Sequence, residues 1–280
     1  MAMLEVSNLR IWDSRTGSVM VPGSSFQVGK GSCLGIVGES GSGKSLTCRA
    51  IMRLNKPGIR QSGDILFNGV NLAQLSEKNM RPRRGKQLYM IMQNGMRAFD
   101  PSCLIGVHLR EVLSGHFGWG REEITIRMKC AMSSVLLKDP IAVMNSYPHQ
   151  LSGGMLQRVM IALALVLEPD LIIADEFTSA LDTLSRFEVM EQFMQLRQRM
   201  GCSVMFVSHD LGVVQKLADE ILVMKDGMIV ERGTTEAIFS GAMHEYTRQL
   251  VSSSLALHHR FQAVTGGMQH VERERRREVL

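Results

Sequence analysis

The feature that most restricts the fold of this 280-residue chain is a glycine-rich segment between a short apolar run and a helical pattern. The apolar run is Leu34–Val37, and apolar residues recur at helical spacing from Leu46 to Leu54. The segment between them reads Gly38-Glu39-Ser40-Gly41-Ser42-Gly43-Lys44-Ser45. Its pattern, G-x-x-x-x-G-K-[ST] after a strand and before a helix, is typical of a loop that binds phosphate.

This segment, hereafter the phosphate loop, has the chemistry that nucleotide binding needs. Its glycines allow backbone N–H groups to surround phosphate oxygens, and the helix N-terminus adds positive potential. Lys44 would reach the terminal phosphates, and Ser45 would be a ligand of Mg²⁺. The simpler alternative is a flexible Gly/Ser turn.

Three further polar residues follow apolar runs. Asp175 and Glu176 end the run Leu171–Ala174, and His209 follows Val204–Val207. Because ligands bind at the carboxyl ends of strands in open α/β sheets, these side chains should lie near the phosphate loop. Asp175 would bind Mg²⁺, Glu176 would polarise the attacking water, and His209 would contact the γ-phosphate. Alone, such an acidic pair would more often begin a solvated loop, and such a histidine would be structural.

The order of the segments predicts an α/β fold. Short apolar runs that alternate with helical patterns indicate buried parallel strands. Asn68-Gly69 and Asp226-Gly227 follow apolar runs and predict hairpin turns, because Asx-Gly pairs adopt positive φ readily. Between about residues 94 and 150 the strand signal fades, and apolar residues recur at helical spacing over Glu122–Leu137, so we expect an inserted helical region.

Composition excludes several classes of protein. The longest apolar run, Val159–Leu167, is far shorter than the roughly 20 residues of a membrane-spanning helix, and no secretory signal is evident. The five cysteines have no CxxC or zinc-site spacing, so we expect reduced thiols and an intracellular protein. The net charge is +5, but the basic residues are dispersed apart from short clusters at 81–86 and 273–277. We therefore expect no nucleic-acid partner.

A second motif resembles a known family. The segment Leu151-Ser152-Gly153-Gly154-Met155-Leu156-Gln157-Arg158 is similar to the signature motif of ABC ATPases. The resemblance implies a phosphate-loop NTPase cassette with a parallel core sheet, an N-terminal antiparallel β-subdomain and an inserted α-helical subdomain. It implies ATP and Mg²⁺ as cofactors, a nucleotide-binding domain over residues 1–250 and a C-terminal extension over 251–280. The signature residues Leu151 to Met155 would bind the ATP of a partner subunit.

Other residues match the family in order. Gln93, within Met92–Asn94, resembles the Q-loop glutamine, which implies a catalytic role and contact with Mg²⁺. Ser179-Ala180-Leu181-Asp182 resembles the D-loop, and His209 resembles the switch histidine. Trp12 is a candidate for stacking on adenine, and packing of its ring under the N-terminal sheet remains the alternative.

Two positions depart from the family pattern. Phe177 replaces a Pro that commonly follows the catalytic Glu, and Gly95 replaces a Pro that commonly follows the Q-loop Asn. Because Pro fixes φ and Gly frees it, we expect both loops to be looser. Neither change removes a reacting group, so hydrolysis remains the prediction, with a slow or asymmetric site as an open alternative.

Several segments resemble the ATPases of dipeptide, oligopeptide and nickel importers, namely Gly41–Thr47, Tyr147–Gln150 and His244–Leu250. Leu46–Cys48, Met155–Arg158 and Leu250–Ser252 are most similar to the first ATPase of nickel importers. The implied cargo is nickel, or a related transition metal or metal chelate, with di- or oligopeptides as the alternative.

The resemblance also implies partners and a location. We expect a second, related ATPase subunit, although a homodimer stays open, two integral membrane permease subunits and an extracytoplasmic substrate-binding protein. The chain would lie peripherally on the cytoplasmic face of the bacterial inner membrane.

Two rival functions remain. A non-transport ABC ATPase in DNA repair or translation is disfavoured because Lys44 and Ser152 lie in one compact cassette. A binding module with an inactive site is disfavoured because Lys44, Gln93, Asp175, Glu176 and His209 are all retained.

Overall fold

A computed structural model describes residues 2–177 and 183–253 of the chain, and within helix α7 the side chains of residues 183–187 and 196 fall outside the description. The predicted D-loop, with Asp182, and nearly all of the predicted C-terminal extension lie outside the described residues.

The strands of the described part are β1 (Ala2–Asp13), β2 (Val19–Gly29), β3 (Cys33–Val37), β4 (Ile59–Phe67), β5 (Val70–Asn71), β6 (Leu88–Ile91), β7 (Leu171–Asp175), β8 (Ser203–Val207), β9 (Glu220–Lys225) and β10 (Met228–Thr234). Its helices are α1 (Lys44–Met52), α2 (Glu77–Met80), α3 (Ile105–Phe117), α4 (Arg121–Ser134), α5 (Pro140–Met144), α6 (Gly153–Leu167), α7 (Thr183–Met200), α8 (Leu211–Leu217) and α9 (Thr235–Gly241), and residues 245–253 are also helical.

The larger sheet has the strand order β10-β9-β3-β8-β7-β6. Its strands from β9 to β6 are parallel, and β10 pairs antiparallel with β9, so the sheet is mixed rather than purely parallel. Every residue of β3, β7 and β8 is buried, as expected for strands covered on both faces. The three strands predicted from their apolar runs are thereby confirmed.

A second, antiparallel sheet has the order β2-β1-β4-β5. Both predicted hairpin turns are present: Asn68 and Gly69 join β4 to β5 with φ of 47° and 77°, and Asp226 and Gly227 join β9 to β10 with φ of 48° and 80°. The predicted antiparallel β-subdomain is therefore confirmed. Its buried face packs with the buried residues of α1 and of β3 in one apolar cluster, including Val6, Ile11, Ile36 and Ile51.

The stretch between β6 and α6 contains α3, α4 and α5. Helix α4 packs against α6, whereas α3 and α5 pack against α4 and each other, and Leu109, Met128 and Met132 are buried in the same apolar core. The predicted helical region is present, but two of its apolar residues are exposed: Ile126 by 63% and Leu136 by 61%. Helix α4 ends at Ser134 and Leu136 has a φ of 58°, so the helical periodicity does not continue to it.

Helix α6 contains the long apolar run Val159–Leu167 and lies within the core. Ser152 caps its N-terminus, and Glu168 ends it with a φ of 49°. In the ranges that the structure describes, no helix combines the length and apolar character required to span a bilayer. The cysteines are free thiols, as the sequence predicted.

Candidate active site

The phosphate loop connects β3 to α1, and two of its glycines are required by close contacts. At Gly38, with a φ of 147°, a Cβ atom would lie 2.0 Å from the backbone oxygen of Met224. At Gly43, with a φ of 95°, it would lie 2.9 Å from Cγ2 of Val21. A side chain at either position would therefore displace the loop from β9 or β2. Close packing against one strand of each sheet therefore fixes the conformation of the loop.

Lys44 begins α1 and is almost fully buried, at 4% exposure. Its Nζ donates to the backbone oxygens of Gly38 and Glu39, at 2.8 and 2.7 Å, and to Oγ of Ser42 at 3.3 Å. Burial lowers the pKa of Lys44, and the nearby carboxylates of Glu176 and Asp175 oppose that shift. The loop therefore fixes a cation at the N-terminus of a helix, where anions bind.

Asp175 ends β7 and contacts the first turn of α1. Ser45 Oγ donates to Asp175 Oδ1 at 2.6 Å, and Arg49 Nη2 lies 3.8 Å from Oδ2. Burial raises the pKa of Asp175, while the hydrogen bond from Ser45 and the charge of Arg49 act in the opposite direction. Arg49 is a site residue that the sequence analysis missed, because its position in α1 gives no motif signal.

The adjacent oxygens of Ser45 and Asp175 fit Mg²⁺. Magnesium prefers oxygen ligands and is commonly held by one or two protein groups together with substrate phosphates. No cluster of three or more His, Cys, Asp or Glu residues suited to a metal occurs in the described part of the chain. The donor set therefore suits a metal that arrives with a nucleotide rather than one held by protein ligands alone.

Glu176 follows β7 and contacts residues at the ends of β6 and β8. Its backbone N–H donates to Val207 O at 3.1 Å, and its φ of 46° is uncommon outside glycine. Gln93 Nε2, after β6, donates to Glu176 Oε2 at 2.5 Å. His209 Nε2, after β8, lies 2.5 Å from Glu176 Oε1. The structure thus brings two of the predicted catalytic side chains, Gln93 and His209, into direct contact with the third, Glu176.

The backbone around Gln93 is tied to α6. Gln157 Nε2 donates to the backbone oxygens of Met92 and Gln93, at 3.2 and 3.1 Å. Gln157 is buried, and its Oε1 has no hydrogen-bond partner among the described residues. The sequence analysis gave Gln157 no role of its own. The available signal was a polar residue on the buried face of an otherwise apolar helix.

Gly95 and Phe177, the two positions that depart from the family pattern, both pack against helices. Gly95 is buried, and a Cβ atom there would lie 2.8 Å from Cβ of Leu156, so its small size permits close packing of the loop on α6. Asn94 also caps this turn by accepting from Met96 N at 2.9 Å. Phe177 is buried against Phe193, with ring centroids 4.7 Å apart. Whether the two loops are looser than their proline-containing counterparts stays a prediction.

The signature residues lie at the first turn of α6. Ser152 and Gly153 are exposed, and Ser152 Oγ accepts from Met155 N at 3.2 Å. Leu151 and Met155 are partly buried and pack against the core. This places exposed backbone N–H groups at the positive end of a helix of 15 residues, which is an anion-binding geometry. Contact with a partner's ATP stays a prediction.

Trp12 lies near the end of β1, in the antiparallel sheet, and is partly buried. The guanidinium carbon of Arg10 is 5.7 Å from the centroid of its ring. Stacking of Trp12 on a nucleotide base also stays a prediction.

Comparisons with known proteins agree on a family. A family model described as ABC transporter matches residues 21–179. The chain is 43% identical over 270 residues to the metal-staphylopine import system ATP-binding protein CntD of Staphylococcus aureus (strain NCTC 8325 / PS 47), covering 96% of this chain and 100% of that protein. It is 42% identical over 255 residues to the oligopeptide transport ATP-binding protein OppD of Bacillus subtilis (strain 168), covering 90% of this chain and 71% of that protein.

A solved structure extends the likeness to the fold. The dimeric structure of a post-hydrolysis state of the ATP-binding cassette MJ0796 bound to ADP and Pi matches with a TM-score of 0.74 and 25% identity. The match covers 83% of this chain and 99% of that one.

Proposed function

This chain belongs to the ABC transporter family as the ATPase subunit of an importer, and we propose that its ATP hydrolysis drives the uptake of nickel, or of a related transition metal or metal chelate. The observation that carries the choice of cargo is the full-length similarity to the metal-staphylopine importer subunit. Peptide import is the second candidate, since the oligopeptide importer subunit is nearly as similar but is matched over only 71% of its length.

The chemistry follows from the contacts of the site. Lys44 would bind the terminal phosphates of ATP. Ser45 and Asp175 would hold Mg²⁺, with Gln93 as a further contact, and the metal would neutralise charge on the phosphates. Glu176 would accept a proton from water as the water attacks the γ-phosphorus and the bond to ADP breaks. Gln93 contacts Oε2 of Glu176 and His209 contacts Oε1, and together they would orient the carboxylate.

The exposure of the signature turn supports a site shared by two subunits. We propose that Ser152 to Gly154 bind the ATP held by a second, related ATPase subunit, which closes the pair. ATP can shift the open-to-closed equilibrium only by its differential affinity for the two states. The helices α3 to α5 would transmit this closure through Gln93 to two permease subunits at the cytoplasmic face of the membrane. An extracytoplasmic binding protein would supply the cargo.

Uptake of labelled nickel by cells that lack the gene tests the cargo. We expect nickel uptake to fall to the background level and to be restored by the wild-type gene but not by Glu176→Gln. Uptake of a labelled dipeptide in the same cells is the control and should not change. If nickel uptake is unchanged and dipeptide uptake is lost, the cargo is a peptide and not nickel.

A further inference from the structure

The segment His244–Leu250, which resembles the importer group but has no assigned role, packs beside the phosphate loop. Its Tyr246 is 5% exposed, and the backbone N–H of Glu39 donates to Tyr246 Oη at 2.8 Å. A residue far along the chain is therefore bonded directly to the phosphate loop.

The bond from Glu39 has a consequence for Lys44. The N–H of Glu39 and the C=O of Gly38 belong to one planar peptide group, so they point in opposite directions. The Gly38 oxygen, at the opposite edge of that peptide group, accepts from Lys44 Nζ at 2.8 Å. Gly38 has the backbone freedom that would let this peptide rotate. Tyr246 and Lys44 thus restrain the same peptide group from its two ends.

Tyr246 is itself anchored on several sides. The Glu231 carboxylate accepts from the backbone N–H groups of Met243 and His244, at 2.7 and 3.1 Å. His244 Nδ1 accepts from the backbone N–H of Tyr246 at 3.1 Å, and Lys225 Nζ lies 4.9 Å from the ring centroid. Burial raises the pKa of Tyr246, which keeps the hydroxyl protonated. The hydroxyl therefore has a fixed position.

We propose that Tyr246 is a positioning residue for nucleotide binding: it fixes the Gly38–Glu39 peptide group so that Lys44 is aimed at the phosphates of ATP. The helical residues 245–253 are then part of the nucleotide site, not only a packing element. The inference rests on the proposed binding of ATP to the phosphate loop.

The test is the change Tyr246→Phe, which removes the hydroxyl and keeps the ring. One lost hydrogen bond at the loop should raise the dissociation constant for ATP about three- to tenfold in the purified full-length chain. The matched control is Tyr89→Phe. Tyr89 is also buried, and its hydroxyl donates to Met160 O at 2.9 Å, between β6 and α6. That variant should lose thermal stability and keep its ATP affinity.

A second variant covers the case that Tyr246→Phe fails to fold. Glu231→Ala removes the acceptor that anchors the start of the segment and should weaken ATP binding in the same direction. If Tyr246→Phe or Glu231→Ala folds and binds ATP with wild-type affinity, the proposal is overturned. It is also overturned if Tyr89→Phe loses as much ATP affinity as Tyr246→Phe does. Failure of the unmodified chain to bind ATP would instead refute the proposed function, so the two failures are distinguishable.

Discussion

At the scale of single residues, Lys44 has an unusual environment for a lysine. Its amine is buried and donates to three neutral oxygens, while two carboxylates stand nearby. Desolvation disfavours the charged form more than the carboxylates favour it, so the pKa of Lys44 is lower than that of an exposed lysine. Phosphate binding needs the charged form, and the lowered pKa therefore limits binding at alkaline pH.

The affinity for ATP should fall as pH rises through the lowered pKa of Lys44. The sign follows because the folded site loses this proton more readily than a free lysine does, and the neutral amine no longer attracts phosphate. The measurement is the dissociation constant for ATP between pH 7 and about 10.4, where a free lysine titrates. Lys44→Arg, which stays charged over this range, should show a flatter profile. A wild-type affinity that is constant until free lysine titrates would contradict this prediction.

The sequence predicted these residues for a local reason. Lys44 belongs to the phosphate-loop motif, whereas Asp175, Glu176 and His209 come directly after short apolar runs or within two residues of them. The carboxyl ends of parallel strands share one edge of a sheet. Arg49 carries no such signal, because its contact with Asp175 depends on how α1 packs against β7.

At the scale of elements, α6 is the helix that links the two phosphate-binding features. Its first turn presents Ser152, its buried Gln157 binds the backbone of the Q-loop, and its Leu156 packs on Gly95. Gln93, in that loop, contacts Glu176. A displacement of α6 would therefore change the position of the side chain that orients the catalytic carboxylate.

The change Gln157→Leu should reduce ATP turnover about tenfold and leave ATP affinity nearly unchanged, because it releases the loop that positions Gln93 but not the phosphate loop. The free energy of unfolding should change by only about 1 kcal/mol, because two opposing effects partly cancel. The substitution loses two hydrogen bonds, but it also removes a buried oxygen that has no hydrogen-bond partner among the described residues. Turnover, ATP affinity and denaturant unfolding of the variant would be measured together.

Gln192→Leu in α7 is the matched control. Gln192 is also buried, and neither of its side-chain polar atoms has a hydrogen-bond partner among the described residues. This variant should keep wild-type turnover. Equal turnover in Gln157→Leu and the wild type would show that the link through α6 does not position Gln93.

The elements themselves were largely predictable, because buried apolar runs and Asx-Gly turns are local signals. The packing between elements was not. The close packing of Gly95 depends on Leu156, and the exposure of Leu136 depends on where α4 ends. Neither fact is encoded in a short window of sequence.

At the scale of the whole molecule, the nucleotide site has two unequal parts. The phosphate loop, the ends of β6, β7 and β8, and Tyr246 meet in one chain through direct contacts. The signature turn is exposed at the start of α6. On this account the chain binds ATP by itself, whereas full turnover requires a partner subunit that supplies the second clamp.

The measurement that tests the central claim most directly is ATP turnover by Glu176→Gln, assayed with the partner subunit present. The amide cannot accept the proton of the attacking water, so turnover should fall at least a hundredfold while ATP affinity stays near that of the wild type. Turnover near the wild-type rate would contradict the assignment of Glu176 as the base and, with it, the account of this site as an ATP-hydrolysing centre.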